Sequence, residues 1–212
     1  MDPEGNLLLV TIEGIDGSGK STLLTALKNQ LTDIDPLFTR EPGATWVGEA
    51  VRRAIAEQID PITEASLFVA DHAAHLATVV RPALTEGRLV ISDRYSDSRF
   101  AYQSVTLKGI VPDPEGWLRA MHNGWSITPD RTFLLVLSID DALARLADKS
   151  GREHFERREV LEAVQNNYLA YARAEPSRFV IVDASLGKEE IATFVADGIR
   201  QAVAAKKEGR RR

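Results

Sequence analysis

The chain contains no cysteine, which closes off both a disulfide framework and a thiolate metal site. It also lacks a long apolar run, since Leu7–Ile12 is far too short to span a bilayer. The acidic and polar first residues carry no targeting signal, so a cytoplasmic location is expected. No basic stripe runs through the body of the chain, whose net charge is −5. The one cationic cluster, Lys206-Lys207-Glu208-Gly209-Arg210-Arg211-Arg212, reads as a disordered, solvated tail over 206–212. Neither nucleic acid nor a membrane is therefore an expected partner. What is present is ordinary: 44% hydrophobic and 27% charged residues in a chain of 212. That is enough for one domain, expected over 1–205, with a core that needs no staples.

Apolar, β-branched runs alternate with helical patterns. Strands are expected at Leu7–Ile12, Leu37–Thr39, Arg88–Ser92, Thr132–Leu137 and Arg178–Val182. Helices are expected at about Ser21–Leu31, Thr45–Gln58, Thr63–Glu86, Pro114–Gly124, Asp140–Lys149, Glu156–Glu175 and Lys188–Lys206. Strands separated by helices predict an α/β fold, a parallel sheet with helices on both faces. In such sheets ligands bind beyond the carboxyl ends of the strands.

Between the first strand and the first helix stands Gly14-Ile15-Asp16-Gly17-Ser18-Gly19-Lys20-Ser21, followed by Thr22. This fits the phosphate-binding pattern G-x-x-x-x-G-K-[ST] in the strand–turn–helix context it requires. Glycines let successive N–H groups converge on an anion, and the helix N-terminus adds partial positive charge. Lys20 is expected to reach the β- and γ-phosphates, and Ser21 to ligate magnesium. The loop alone predicts a nucleoside triphosphate and does not separate a kinase from a switch or a motor.

The other strand ends are polar too: Thr39-Arg40-Glu41-Pro42-Gly43, Asp93-Arg94-Tyr95-Ser96-Asp97-Ser98 and Ser138-Ile139-Asp140. Two arginines at this edge point to a second anionic group, because the planar guanidinium grips phosphate oxygens bidentately and keeps its proton.

These pieces, with Ser98, Ala101-Tyr102-Gln103 and Pro129-Asp130-Arg131-Thr132-Phe133, resemble the thymidylate kinases in order and spacing over most of the chain. The resemblance implies a P-loop NTPase-type fold with a five-stranded parallel sheet and a mobile lid, and commonly a homodimer. It implies transfer of the γ-phosphoryl group of ATP to dTMP with Mg2+. On it, the loop amides, Lys20 and Ser21 hold MgATP, while Asp16, Arg40 and Arg94 surround the acceptor phosphate. Asp93 partners a magnesium-bound water, Phe68 stacks on thymine, Tyr102 lies under the sugar, and Ser98 and Gln103 line the base pocket.

Two departures from the family pattern matter. Some members place an arginine in the phosphate loop after the acidic residue; here that position is Gly17. The cation is then expected from a lid at about 147–156, with Arg152 the candidate and Lys149 and Arg145 behind it. Many members also have an arginine after Phe-x-x-Asp that hydrogen-bonds the base; here it is His72, expected to contact the base in its place. His75, three residues on, is read as packing or surface rather than zinc, since a third ligand is missing. Three alternatives stay open: a kinase for another nucleotide or a deoxynucleoside, a binding-only relative, and a nucleotide-dependent switch. The last would be expected to show an Asn-Lys-x-Asp guanine motif if it used GTP, and none is found.

Overall fold

A computed structural model describes residues 8–147 and 155–209. Five strands form one all-parallel sheet: β1 (Leu8–Gly14), β2 (Leu37–Arg40), β3 (Leu89–Asp93), β4 (Arg131–Val136) and β5 (Phe179–Asp183). Their order is β2-β3-β1-β4-β5. The chain leaves β1 toward one side and later returns to its other side, so the strand order reverses at β1 while every strand stays parallel. That reversal opens a crevice at the carboxyl end of β1.

β1 is buried along its whole length, because neighbouring side chains enter opposite layers. Leu8, Val10 and Ile12 pack with Leu23, Leu27 and Leu31 at and just beyond α1 (Lys20–Gln30). Leu9, between them, packs with Val90, Leu76, Val80 and Ala83 on the other side. This double burial is why the strand reads as a continuous apolar run rather than an alternating one.

Helix ends follow local chemistry. α2 (Trp46–Glu57) begins where Thr45 accepts a bond from the Gly48 amide and ends at Gln58 in the left-handed conformation. α3 (Pro61–His75) starts at Asp60, whose carboxylate accepts from Thr63 N at 2.8 Å, with Pro61 at the first helical position. α3 continues through a π-helical turn at Leu76–Val80 into α4 (Arg81–Thr85), where one unbroken α-helix was expected. The remaining helices are α5 (Ser96–Thr106), α6 (Pro114–His122), α7 (Ile139–Leu146), α8 (Arg158–Ala174) and α9 (Lys188–Gly209). No helix among the described residues is long and apolar enough to cross a membrane.

Two sequence expectations need correction. No helix was expected between Glu86 and Pro114, and the polar stretch after β3 runs into α5. The tail expected to be disordered from 206 is helical through Gly209, and Lys206 is held by an ion pair with Asp130.

α5 is tied to the sheet by a buried ion pair. Asp97 receives Arg178 Nη1 at 2.6 Å and Nη2 at 3.1 Å, and Nη1 also donates to Thr132 at 2.9 Å. Arg178 keeps a second carboxylate, Glu175, and so is not wholly stranded if Asp97 is lost. Asp97→Ala should nevertheless destabilise the fold by about 3 kcal/mol, because it removes one partner of a buried pair. Urea denaturation measures this, and a loss below about 1 kcal/mol would show that the pair does not hold α5.

Candidate active site

The phosphate loop is shaped by positions that exclude side chains. Gly17 has φ +80°, and a Cβ there would lie 2.5 Å from the Ala142 carbonyl oxygen. The loop therefore has no room for the arginine that some relatives carry at this position. α1 begins at Gly19 with no side-chain cap, which leaves its first N–H groups directed outward for an anion.

Lys20 is buried and donates from Nζ to the carbonyls of Gly14 at 3.0 Å and Ile15 at 2.9 Å. Burial and the nearby Arg94 lower its pKa to about 8. A phosphate beside it would favour the ammonium again.

A cavity of about 570 Å3 opens at this strand edge. It brings together Asp16, Gly17, Gly19, Lys20, Ser21 and Thr22 with Arg40, Phe68, Asp93, Arg94, Ser98, Tyr102 and Gln103. Gly14, Ile15 and Ser18 of the loop do not line it; the first two supply the carbonyls that hold Lys20.

Arg94 sits at the crossing of the strand ends. It is left-handed at φ +64°, a conformation costing about 1–2 kcal/mol for a residue with a Cβ. Its amide donates to Ile12 O at 3.1 Å. Nη1 reaches Gly14 O at 3.1 Å and Ser98 Oγ at 3.2 Å, while Nη2 bonds Asp16 Oδ1 and Tyr102 at 3.2 Å. Burial works against both charges of this pair. Asp16 is nevertheless held below the usual carboxylate range by Arg94 and Lys20, and Arg94 well above its ordinary value by Asp16.

Beneath Arg94 lies Glu13, which accepts from Tyr95 N at 2.8 Å, Ser98 Oγ and Tyr168 Oη at 2.9 Å. Burial, then Asp97, raises its pKa to about 7. Asp93 Oδ1 is buried without a hydrogen-bond partner at the cavity edge.

His72 is elsewhere. It is fully buried and does not line the cavity. Nδ1 donates to Glu41 Oε1 at 2.8 Å, and Nε2 faces Ser126 Oγ at 2.8 Å, so neither nitrogen is left for a base. His75 joins the same carboxylate at 2.7 Å and Thr39 at 2.7 Å, which makes it packing. Among the described residues no cluster could hold a metal through His, Asp and Glu alone. The other oxygen of Glu41 pairs with Arg99. Burial alone would raise Glu41, but Arg99 and His72 hold it well below the usual range.

Arg99, Arg52 and Ile55 also line the cavity, and the sequence reading did not include them; Phe155, from the expected lid, lines it as well. Tyr95, Ser98, Arg99, Tyr102 and Gln103 all line it at a spacing of three and four. Once α5 is recognised, that helical period picks out Arg99. Phe155 packs edge-on against Tyr102 at 5.5 Å between ring centroids. Arg145 also borders the cavity and donates to Gly17 O at 3.4 Å and Ala184 O at 3.2 Å. Lys149 and Arg152 lie outside the described residues, as does most of the expected lid.

Comparison with known proteins shows what the sequence of this chain is similar to. The family model described as thymidylate kinase matches residues 12–195. A probable thymidylate kinase of Methanoculleus marisnigri is 69% identical over 91% of this chain and 94% of its own length. Another, of Methanospirillum hungatei, is 58% identical over the same shares. One from Natronomonas pharaonis is 44% identical over 87% of this chain and 93% of its own length.

His122 carries a pH signature of the site's back wall. Its Nδ1 donates to Leu118 O at 2.7 Å, so Nε2 accepts from Arg99 Nε at 3.1 Å and cannot also hold a proton. Burial, then Arg99, lowers its pKa to about 4 from the ordinary 6.5. Between those values the unfolded chain binds one more proton, so this contribution is full above pH 6.5 and is lost as pH falls toward 4. His122→Gln should therefore flatten the pH dependence of unfolding free energy by about 1.4 kcal/mol per pH unit between pH 6 and 5. Equal slopes in urea titrations of the two proteins would mean that native His122 is already protonated.

Proposed function

The chain belongs to the thymidylate kinase family, whose reaction is ATP-dependent phosphorylation of dTMP to dTDP, and we propose that it performs this reaction in the cavity at the end of β1. The observation that supports this most directly is the pairing of Lys20 with Arg94 in one cavity, beside an uncapped helix N-terminus. It has the cationic character needed for two phosphate groups facing each other.

Lys20, the loop amides and Ser21 receive the donor phosphates, and Asp16, Arg40 and Arg94 receive the acceptor phosphate. Phe68 stacks on the base, Tyr102 supports the sugar, and Ser98 and Gln103 border the base. The acceptor phosphate is already ionised near neutral pH, so no general base is required. The work left to the protein is alignment and charge neutralisation. Arg94 suits it because Gly14, Ser98, Asp16 and Tyr102 fix its fork before substrate arrives.

Mg2+ fits this edge: Asp93 Oδ1 is a buried carboxylate oxygen without a partner, and Ser21 lies exposed across the same cavity. Ser21 and Asp93 would hold the ion there, and it would supply positive charge to offset that of the migrating group. A homodimer is carried over from the resemblance, and a cytoplasmic location from the lack of a recognisable targeting signal. The transition-state cation is assigned to Arg152 on the resemblance too.

With MgATP, dTMP should be the best acceptor among dTMP, dUMP, UMP, dCMP and thymidine, and thymidine should not be phosphorylated. Equal kcat/KM for thymidine would remove the acceptor-phosphate role of Arg40 and Arg94. Arg94→Lys should lower kcat/KM for dTMP about a thousandfold, because an ammonium cannot reproduce the fork. Arg152→Ala should lower kcat by about a thousandfold with little change in KM for dTMP; an unchanged kcat excludes it.

A further inference from the structure

Arg99 is one of the largest fully buried side chains of the protein, and its three nitrogens are unequally used. Nε donates to His122 and Nη1 to Glu41, whereas Nη2 is buried without a partner and the residue lines the cavity. A buried donor left unpaired is costly, and in native proteins such a donor calls for a reason.

The charge of Arg99 is already balanced by Glu41, so Nη2 has no need of a second anion. What it lacks is an acceptor, and a neutral carbonyl oxygen suffices. One turn further on the same face of α5, Gln103 Nε2 is a second buried donor without a partner, also at the cavity. Two donors on one face match a base that presents two carbonyl oxygens. Thymine does so; cytosine has one carbonyl and an amino group that would oppose a donor.

We propose that Arg99 Nη2 donates to a thymine carbonyl, making Arg99 of α5 the specificity-determining guanidinium of this chain. It thereby takes the place of the arginine that many relatives carry at the position of His72. His72 cannot serve, since both of its nitrogens are committed behind the site. The proposal rests on dTMP being seated in this cavity.

The test is a cycle of substrate against side chain. KM and kcat are measured with dTMP, 2-thio-dTMP and 4-thio-dTMP for the unaltered protein, Arg99→Met and Arg99→Lys. Sulfur is a weak acceptor, so the thio analogue at the carbonyl read by Arg99 should raise KM about tenfold in the unaltered protein and not in Arg99→Met. For dTMP itself Arg99→Met should raise KM about 10- to 100-fold, with a much smaller effect on kcat. A purely structural role would weaken all three nucleotides by one common factor and lower MgATP affinity as well; that result overturns the proposal.

Arg99→Lys keeps a positive charge beside Glu41 should Arg99→Met fail to fold. If neither variant folds, the analogues on the unaltered protein decide, and an unchanged KM for both overturns the assignment. Phe68→Ala separates the two readings. If it leaves KM for dTMP unchanged, the seating itself fails and Arg99 with it. If it raises KM while the Arg99 cycle is additive, only the Arg99 assignment is lost.

Discussion

The site is organised around the carboxylate of Glu41. A buried charge survives only when paired and fully hydrogen-bonded, and Glu41 meets this demand with groups from two helices. His72 and His75 on α3 share one oxygen, and Arg99 on α5 takes the other. Its own amide donates to Asp93 O at 3.0 Å, which binds the end of β2 to the end of β3. The two helices held this way are those that carry Phe68 on one side and Ser98, Tyr102 and Gln103 on the other. The separation of the cavity walls thus follows from the coordination of one carboxylate. Removing Glu41 would strand the Arg99 charge and free both histidines at once, so the walls do not drift independently.

Forward of that wall the charges are arranged differently. Lys20 and Arg94 share a confined volume with Asp16, Glu13 and Asp93, and the balance leaves Lys20 with a pKa near 8. Burial and the repulsion of Arg94 outweigh the attraction of the acids. Such an arrangement is partly unfavourable as it stands and becomes favourable when phosphate enters. Binding energy is then directed to the place where charge must be neutralised during transfer. Glu13, raised to about 7 by burial, accepts from the Tyr95 amide and the Ser98 and Tyr168 hydroxyls. It fixes the start of α5 in the native fold.

The sequence made the strand order of events legible, with the phosphate loop and the polar strand ends, because these depend on local rules: apolar period, glycine geometry and a motif with its context. It missed α5 for a physical reason. Ser96 through Gln103 are all buried, polar residues included, so no apolar stripe marks a helical face. Their burial is satisfied by Glu13, Glu41, Asp16 and Arg178, partners 58 to 86 residues away in the chain. Such pairing has no local signature. The π-helical turn after His75 is equally silent, since the apolar period around Leu76–Val80 suits either winding. For His72 the error had another source: position in the motif was carried over, but the side chain's direction was decided by Glu41.

Moving the base-reading guanidinium from α3 to α5 alters more than its address. On α5 it answers to Glu41, whose neighbour in sequence is Arg40 and whose amide is bonded to Asp93. Recognition of the base and recognition of the phosphate then lean on one buried charge. A nucleotide that satisfies Arg99 locks the Glu41 cluster, which holds the strand ends bearing Arg40, Asp93 and Arg94. One that opposes the guanidinium with an amino group loosens the cluster. On the proposed assignment, selectivity for the base is expressed mainly in affinity, and the same buried carboxylate that seats the guanidinium also ties the strand ends together.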